Sequence, residues 1–398
     1  MPSAFIALGI LFFTGHALKW VFAHSKIPDL LFLILIGQIL GPWTGWVHAS
    51  QLGVVGRLLS ELALVVILFE GGLGLDARLL KSSSWTAAKL TLLAFSLSAL
   101  VGFLGTAVLS SLPTLMALYV GISVSSTSSA VVIPMLKFLA AGEKTKVVLT
   151  IESALNDILV IVLGLLILDS MKNPDLAIAP ALLGLLPSTA ASIGIGILAG
   201  VVTALAKGWF PAVTTIRFST EAFVCIVYGI VGLAGLNGPL AVLAMGLIMG
   251  NLSLFPKSVR DSLGVAMRHR ETELLAEAAF LLKVFFFIYL GMLIQWGSLQ
   301  VILIASVVTA GIYVARYFVA RLVLDSNGPS LDRTTVFAMG PRGLACAVVA
   351  SLPLQRGIPE GEFIQSVVFC TIPLTIIVTS VVVMLAERKA AAEPPPAA

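Results

Sequence analysis

The chain has 398 residues, of which 59% are hydrophobic and only 11% are charged. Soluble globular proteins are about 25% charged, so this composition excludes an ordinary soluble domain and predicts an all-α polytopic membrane protein in a lipid bilayer. The formal net charge of +4 gives no reason to expect nucleic-acid binding. Cys225, Cys346 and Cys370 lie in apolar runs without zinc-site spacing, so we expect core thiols and no cofactor.

Apolar runs bounded by glycine, proline and charged residues predict about thirteen transmembrane helices, because roughly 20 helical residues cross a bilayer. The runs lie at residues 4–22, 30–40, 58–75, 86–109, 114–136, 146–168, 181–205, 218–236, 239–254, 274–294, 301–323, 335–354 and 363–385. Together they form a single transmembrane domain. Residues 387–398, which include three consecutive prolines, are predicted to be a disordered cytoplasmic tail.

The distribution of basic residues supports this number of spans. With the amino terminus outside, all but five of the 24 lysine and arginine residues fall in cytoplasmic loops or at cytoplasmic helix ends, where they are enriched. Arg316 is counted among those helix ends. The exceptions are Arg57, Lys172 and Arg356 outside, and Lys283 and Arg342 within spans. We therefore expect a multi-pass protein of a cell inner membrane with a cytoplasmic carboxyl terminus.

Short matches at nearly one offset indicate an internal repeat. Three pairs of similar segments lie 209, 216 and 217 residues apart: 37–41 with 246–250, 58–61 with 274–277, and 130–132 with 347–349. The offset relates each span to the seventh after it, and an odd shift reverses the direction of crossing. We predict two inverted six-helix repeats, at 4–168 and 216–386, joined by a helix at 178–206. Inverted repeats are typical of secondary transporters.

Two spans in corresponding positions carry signals for a broken helix. The fifth span contains five consecutive hydroxyl residues at 125–129, and these side chains compete for backbone hydrogen bonds. The twelfth span contains Gly340-Pro341-Arg342-Gly343, where proline removes a donor and glycine loosens the chain. Paired interruptions point to a transporter site. Kinks with hydroxyl packing are the alternative.

The sixth span contains two acids, Glu152 and Asp157, within an apolar run. An ionised acid near the bilayer centre costs about 2.5 to 3.5 kcal/mol, so each acid is expected to have a partner, a wet cavity or a function. Residues four apart share a helix face, which places Glu152 beside Asn156 and Ser153 beside Asp157. A structural ion pair or a polar packing seam is the alternative.

Arg342 keeps its charge under ordinary conditions, so within a span it is expected to pair with an acid. Glu152 is the expected partner, which leaves Asp157 free to titrate. The alternative partners are Glu61, Glu70 and Glu277. Lys283 is expected either to pair with a glutamate or to extend toward the membrane surface.

Three motifs together resemble the monovalent cation/proton antiporter superfamily, specifically its bacterial sodium/proton exchanger branch. They are Phe69-Glu70-Gly71-Gly72-Leu73, Glu152-Ser153-x-x-Asn156-Asp157 and Gly340-Pro341-Arg342-Gly343. The likeness covers nearly the whole chain. It implies a homodimeric, electroneutral antiporter that works by alternating access. In that family the broken fifth and twelfth helices cross within a bundle that moves against a scaffold of the first, second and ninth spans.

The resemblance also implies roles for individual residues. The cation and the proton would compete for Asp157, with Asn156 marking the one-proton branch. The remaining implied roles are a further ligand at Ser153, a backbone carbonyl at Thr127 and a structural ion pair of Glu152 with Arg342. Apart from the resemblance, the candidates for accessory positions are Glu61, Glu70, Ser126 and Lys283.

The chain departs from the family where Ser128 follows Thr127, because sodium/proton exchangers commonly have an aspartate there. Ser128 becomes a candidate ligand, and the serine-rich break is closer to potassium/proton relatives. Oxygen ligands suit an alkali ion. Sodium or lithium is expected, with potassium as the alternative. A cation channel, uniporter or symporter on the same fold also stays open, whereas an enzyme is not expected because the serines lack a histidine or lysine base at a recognisable spacing.

Overall fold

The structure is a computed structural model that describes residues 2–25, 28–47, 49–74, 84–136, 139, 141–171, 178–209, 218–255, 269–294, 298–324 and 330–392. Within these ranges the chain forms helices and no strand, which confirms the all-α class. The helices are α1 (Pro2–Ser25), α2 (Asp29–Gln38), α3 (Ala49–Gly74), α4 (Ser84–Leu109), α5 (Thr114–Ser123), α6 (Ser129–Leu136), α7 (Glu143–Ser170), α8 (Ile178–Trp209), α9 (Ser219–Leu233), α10 (Gly238–Gly250), α11 (His269–Leu293), α12 (Leu299–Val323), α13 (Ser330–Ala338), α14 (Leu344–Gln355) and α15 (Gly361–Ala392).

The helices correspond to the thirteen predicted spans when α5 with α6, and α13 with α14, are each taken as one interrupted span. Seven of the described helices are long and apolar enough to cross a membrane, namely α3, α4, α7, α8, α11, α12 and α15. Shorter apolar helices in the described ranges are α1, α2, α5, α9, α10 and α14. Both predicted interruptions are confirmed, and they lie seven spans apart, as the repeat predicts.

The carboxyl-terminal helix is longer than predicted. Helix α15 continues to Ala392, past the expected start of the disordered tail at residue 387. Glutamate, arginine, lysine and a run of alanines follow Leu385, and all are strong helix formers. The rest of the predicted tail, residues 393–398, lies outside the described residues.

The chain divides into two compact units. The first contains Met1–Phe12, Ala49–Arg78 and Asp175–Tyr289, and therefore includes α3, α8, α9 and α10. Within it, a side chain at Gly246 would collide with the carbonyl oxygen of Phe69, and one at Gly250 with that of Leu73. The Gly-x-x-x-Gly motif of α10 therefore serves close packing against α3.

The second unit contains Phe13–His48, Leu79–Pro174 and Leu290–Ala398, and holds both interrupted helices. The first break covers residues 124–128 and the second covers 339–343. They cross in direct contact, because the backbone N–H of Ser128 donates to the carbonyl of Pro341 at 2.8 Å. A side chain at Gly343 would overlap the Ser128 hydroxyl, so this position requires glycine.

Helix α2 belongs to the second unit, although the resemblance implied that its span joins the ninth span in a scaffold. The Gln38 side-chain amide donates to the carbonyls of Gly291, at 2.6 Å, and Ile294, at 2.9 Å. These carbonyls lie at the carboxyl end of α11, where backbone carbonyls have no N–H partner within the helix. Capping by Gln38 thus ties the second span to residues 290–294.

Candidate functional site

The Asp157 carboxylate is held by the first break. The Ser126 hydroxyl donates to Oδ1 of Asp157 and the Ser129 hydroxyl donates to Oδ2, each at 2.6 Å. Ser126 lies in the break itself and Ser129 is the first residue of α6. Asp157 projects from α7, so the interruption of the fifth span places two hydroxyl oxygens against an acid of the sixth.

Glu152 forms a buried ion pair with Arg316 and not, as predicted, with Arg342. The Arg316 guanidinium donates from Nη1 to Oε1 at 2.7 Å and from Nη2 to Oε2 at 2.9 Å. Glu152 is completely buried and the Arg316 side chain is 3% exposed. Such a bidentate geometry compensates both charges for the loss of water. Arg316 is therefore an internal residue of α12 and does not, as the distribution of basic residues predicted, lie at a cytoplasmic helix end.

Arg342 is bound by hydroxyl groups. Its Nη2 donates to Ser98 at 2.8 Å, its Nη1 donates to Thr127 at 3.2 Å, and its backbone N–H donates to Thr375 at 2.9 Å. The side chain is 1% exposed. Arg342 lies in the second break, and its guanidinium extends toward Thr127 in the first break. The Glu152 carboxylate is bound by Arg316 of α12 instead.

The alternative partners predicted for Arg342, namely Glu61, Glu70 and Glu277, lie in the first unit. The Tyr228 hydroxyl donates to Oε1 of Glu61 at 2.6 Å. The ammonium of Lys283 lies 5.7 Å from the centre of the Phe280 ring. Pairing of Lys283 with a glutamate stays a prediction.

Thr127 and Asn156 connect the ion pair to the first break. The Thr127 hydroxyl lies 3.2 to 3.4 Å from polar atoms of Glu152, Asn156, Arg316 and Arg342. A hydroxyl donates once and accepts twice, so at most three of these contacts are hydrogen bonds at one time. The Asn156 amide N–H donates to Oε1 of Glu152 at 3.2 Å, while its buried Oδ1 has no hydrogen-bond partner among the described residues.

Two predicted ligands make other contacts in this structure. The Ser153 hydroxyl donates to the Thr150 carbonyl at 3.0 Å, within its own helix. The Ser128 side chain lies against Gly343 and its backbone N–H bonds to Pro341. Cation coordination by Ser153 and Ser128 stays a prediction.

Three residues of the site were not predicted from the sequence, namely Ser129, Arg316 and Ser98. Ser129 belongs to the hydroxyl run that predicted the break, so its contact with Asp157 follows once α6 begins there. Arg316 could have been found because it lies seven residues inside the predicted span 301–323. Ser98 carries no sequence signal, since lone serines are common in apolar helices.

The cysteines divide between core and surface. Cys346 and Cys370 are buried as predicted, but Cys225 is exposed on α9. The Cys346 thiol donates to the backbone carbonyl of Ser126 at 3.4 Å, so it connects α14 to the first break.

Comparison with known proteins identifies the family. The model of the transmembrane sodium/hydrogen exchanger family matches residues 7–387. The chain belongs to this family. Its members are multi-pass membrane transporters, and the family assignment agrees with the three motifs described above.

Some curated relatives are named as potassium/proton antiporters and others as sodium/proton antiporters. The K(+)/H(+) antiporter NhaP2 of Shewanella baltica is 25% identical over 390 residues, covering 94% of this chain and 65% of the relative. The chain therefore spans about two-thirds of that relative's length. The Na(+)/H(+) antiporter 1 of Methanocaldococcus jannaschii is 27% identical over 366 residues, covering 86% of this chain and 81% of the relative.

A solved structure shares the fold. The sodium proton antiporter MjNhaP1 of Methanocaldococcus jannaschii at pH 8 matches with a TM-score of 0.77 at 22% identity. The match covers 98% of this chain and 99% of the other. The chain therefore has the fold of an antiporter along nearly its whole length.

Proposed function

We propose that this family member is a secondary active antiporter that exchanges a monovalent cation for a proton, with both competing for Asp157. The observation that carries the proposal is the carboxylate of Asp157, held by Ser126 and Ser129 from a broken helix. Family membership and the names of the relatives support it.

The charges around the site support an exchange that involves one acid. Glu152 is neutralised by Arg316 at 2.7 and 2.9 Å, and Asn156 beside it carries no charge. Of the two acids of the sixth span, Glu152 binds an arginine, whereas Asp157 accepts hydrogen bonds from two serine hydroxyls. A single proton would then exchange for a single monovalent cation, so the proposed exchange is electroneutral.

Ser126 and Ser129 explain how Asp157 can bind either a monovalent cation or a proton. A hydroxyl that donates to the carboxylate still presents oxygen lone pairs, so Ser126 and Ser129 can coordinate an alkali ion beside Asp157. A proton on the carboxylate removes the same negative charge. Carrying the empty, ionised site across the membrane is costly. We therefore expect the site to change its facing only when Asp157 holds one of the two ions.

The wider organisation is part of the same proposal. The distribution of basic residues supports an outside amino terminus and a cytoplasmic carboxyl terminus. A cell inner membrane is the proposed location. The family resemblance supports a homodimer, and the repeat offsets support two inverted halves joined by the helix at 178–206.

The exchange is tested in vesicles that contain the purified protein and an internal pH-sensitive dye. A jump of external sodium, lithium or potassium chloride should move protons in the opposite direction, with no need for a membrane potential. Sodium or lithium is expected to act at lower concentration than potassium; the reverse order would favour potassium/proton exchange. Cation flux that continues without proton movement would contradict antiport and indicate a channel.

The serine contacts predict a loss of cation affinity. Ser126→Ala and Ser129→Ala should each raise the KM for the cation about tenfold or more, since a hydrogen bond to a charged group contributes about 1.5 to 3 kcal/mol. The matched control is Ser125→Ala, because this buried hydroxyl of the same break donates to the Ile122 carbonyl of the preceding helix. Equal KM values for all three variants would contradict the assignment.

A further inference from the structure

The second break leaves backbone groups without helical partners, and helix α15 satisfies two of them. The Thr379 hydroxyl donates to the Ala338 carbonyl at 3.0 Å, at the start of the break, where the same carbonyl also accepts from the Gly340 backbone N–H at 2.8 Å. Within the break, near its other end, the Arg342 backbone N–H donates to the Thr375 hydroxyl at 2.9 Å. Thr375 and Thr379 are four residues apart and therefore lie on one face of α15. One helix face thus holds both ends of the interruption.

Tyr313 of α12 completes this arrangement. Its hydroxyl lies 2.7 Å from the Thr375 carbonyl and 2.7 Å from the Thr379 hydroxyl. Tyr313 and Thr379 have two hydroxyl hydrogens for three contacts, with Thr375, with Ala338 and with each other, so at most two of these contacts are hydrogen bonds at one time. Its ring packs against the break, because a Cβ at Gly340 would lie 3.3 Å from a ring carbon. Thr375 and Thr379 are completely buried and Tyr313 is 6% exposed. These hydroxyls therefore bond to protein groups in place of water.

The second break in turn contacts the first break. The Pro341 carbonyl accepts from the Ser128 backbone N–H at 2.8 Å, and the Arg342 guanidinium donates to Thr127 at 3.2 Å. Ser126, two residues before Ser128, donates to Asp157. A displacement of residues 339–343 would therefore change the position of the hydroxyl groups around Asp157.

We propose that Tyr313, Thr375 and Thr379 form a polar clamp that positions the second break, and through it the serines that bind Asp157. They are positioning residues, since none of them contacts the carboxylate. The inference rests on the exchange proposed above. It adds three residues outside the recognised motifs to those that determine the affinity of the site.

The clamp is tested by removing single hydroxyls and measuring exchange in vesicles. Thr375→Val, Thr379→Val and Tyr313→Phe should each raise the KM for the cation about fivefold to tenfold, as expected for one lost buried hydrogen bond. The rate at saturating cation should stay within about twofold of wild type, because loss of affinity for the cation raises KM and leaves kcat nearly unchanged. Thr375→Ser and Thr379→Ser retain the hydroxyl and should restore the wild-type KM.

The control is Thr371→Val. Thr371 lies one turn earlier in α15 and is completely buried, but its hydroxyl donates to the Val367 carbonyl of its own helix. Its KM should equal that of wild type. If the valine variants do not fold, Tyr313→Phe carries the test, because it removes a hydroxyl and keeps the ring.

Two results would overturn the clamp while leaving the exchange intact. One is a KM in the Tyr313, Thr375 and Thr379 variants that equals the KM of Thr371→Val. The other is a serine variant that is as impaired as the corresponding valine variant. Absence of cation/proton exchange in the wild-type protein would instead contradict the proposed function, and the clamp with it.

Discussion

Replacement of Asp157 by asparagine is expected to abolish cation/proton exchange. The amide has nearly the shape of the carboxylate, so its oxygen can still accept a hydrogen bond from one of the two serines while its NH2 group donates to the other. It cannot bind a proton at working pH or neutralise a bound cation. Proton movement driven by a cation jump should fall to the level of protein-free vesicles. Fold should be retained, because the change removes a buried charge.

The matched control for this experiment is Glu143→Gln. Glu143 lies at the start of the same helix, where its side chain is 88% exposed and bonds to Lys146 at 3.0 Å. Glutamine there should leave the exchange rate unchanged, since surface ion pairs contribute little. Substantial exchange by Asp157→Asn, with a melting temperature equal to that of wild type, would show that another group carries the proton.

Loss of Arg316 is expected to be the most damaging change to stability. Arg316→Met leaves Glu152 charged, completely buried and without its bidentate partner, and breaking a buried pair costs about 3 to 5 kcal/mol. The double variant Arg316→Met with Glu152→Gln removes both charges, so it should recover most of the lost stability. Thermal unfolding of the detergent-solubilised protein measures both effects.

Variants of Arg342 distinguish the observed ion pair of Glu152 with Arg316 from the predicted pair of Glu152 with Arg342. Arg342→Met removes a cation that bonds to Ser98 and Thr127, so neutralising Glu152 should not rescue it. If Glu152→Gln instead rescued Arg342→Met and failed to rescue Arg316→Met, the ion pair would be the one inferred from the motifs. The two double variants therefore decide which arginine holds Glu152.

Local chemistry explains the successful predictions. The spans follow from apolar runs, because a backbone in lipid must bond to itself within a helix. The breaks follow from the hydroxyl run at 125–129 and from Gly340-Pro341, which weaken or remove backbone hydrogen bonds where they stand. Asp157 is conspicuous for the same reason, since an acid in an apolar helix requires a compensating environment.

Pairing between distant residues was the main failure. Arg316 and Glu152 are 164 residues apart, and either buried arginine satisfies the requirement for an anion. The choice depends on where α12 and the second break place the two guanidinium groups around α7. The packing that fixes those positions involves α4 and α15, which no motif includes. Ser98 and the clamp residues Thr375 and Thr379 were undetected for the same reason.

The sequence by itself determined the thirteen spans, the two interruptions and the acid at the proposed site, because each depends on the solvation of a short segment. Tertiary structure decided which groups meet. It placed Ser126 and Ser129 on Asp157, Arg316 on Glu152 and the α15 hydroxyls on the second break. Such contacts depend on distances set by helix packing across the whole second unit, and a one-dimensional pattern of residue types does not contain them.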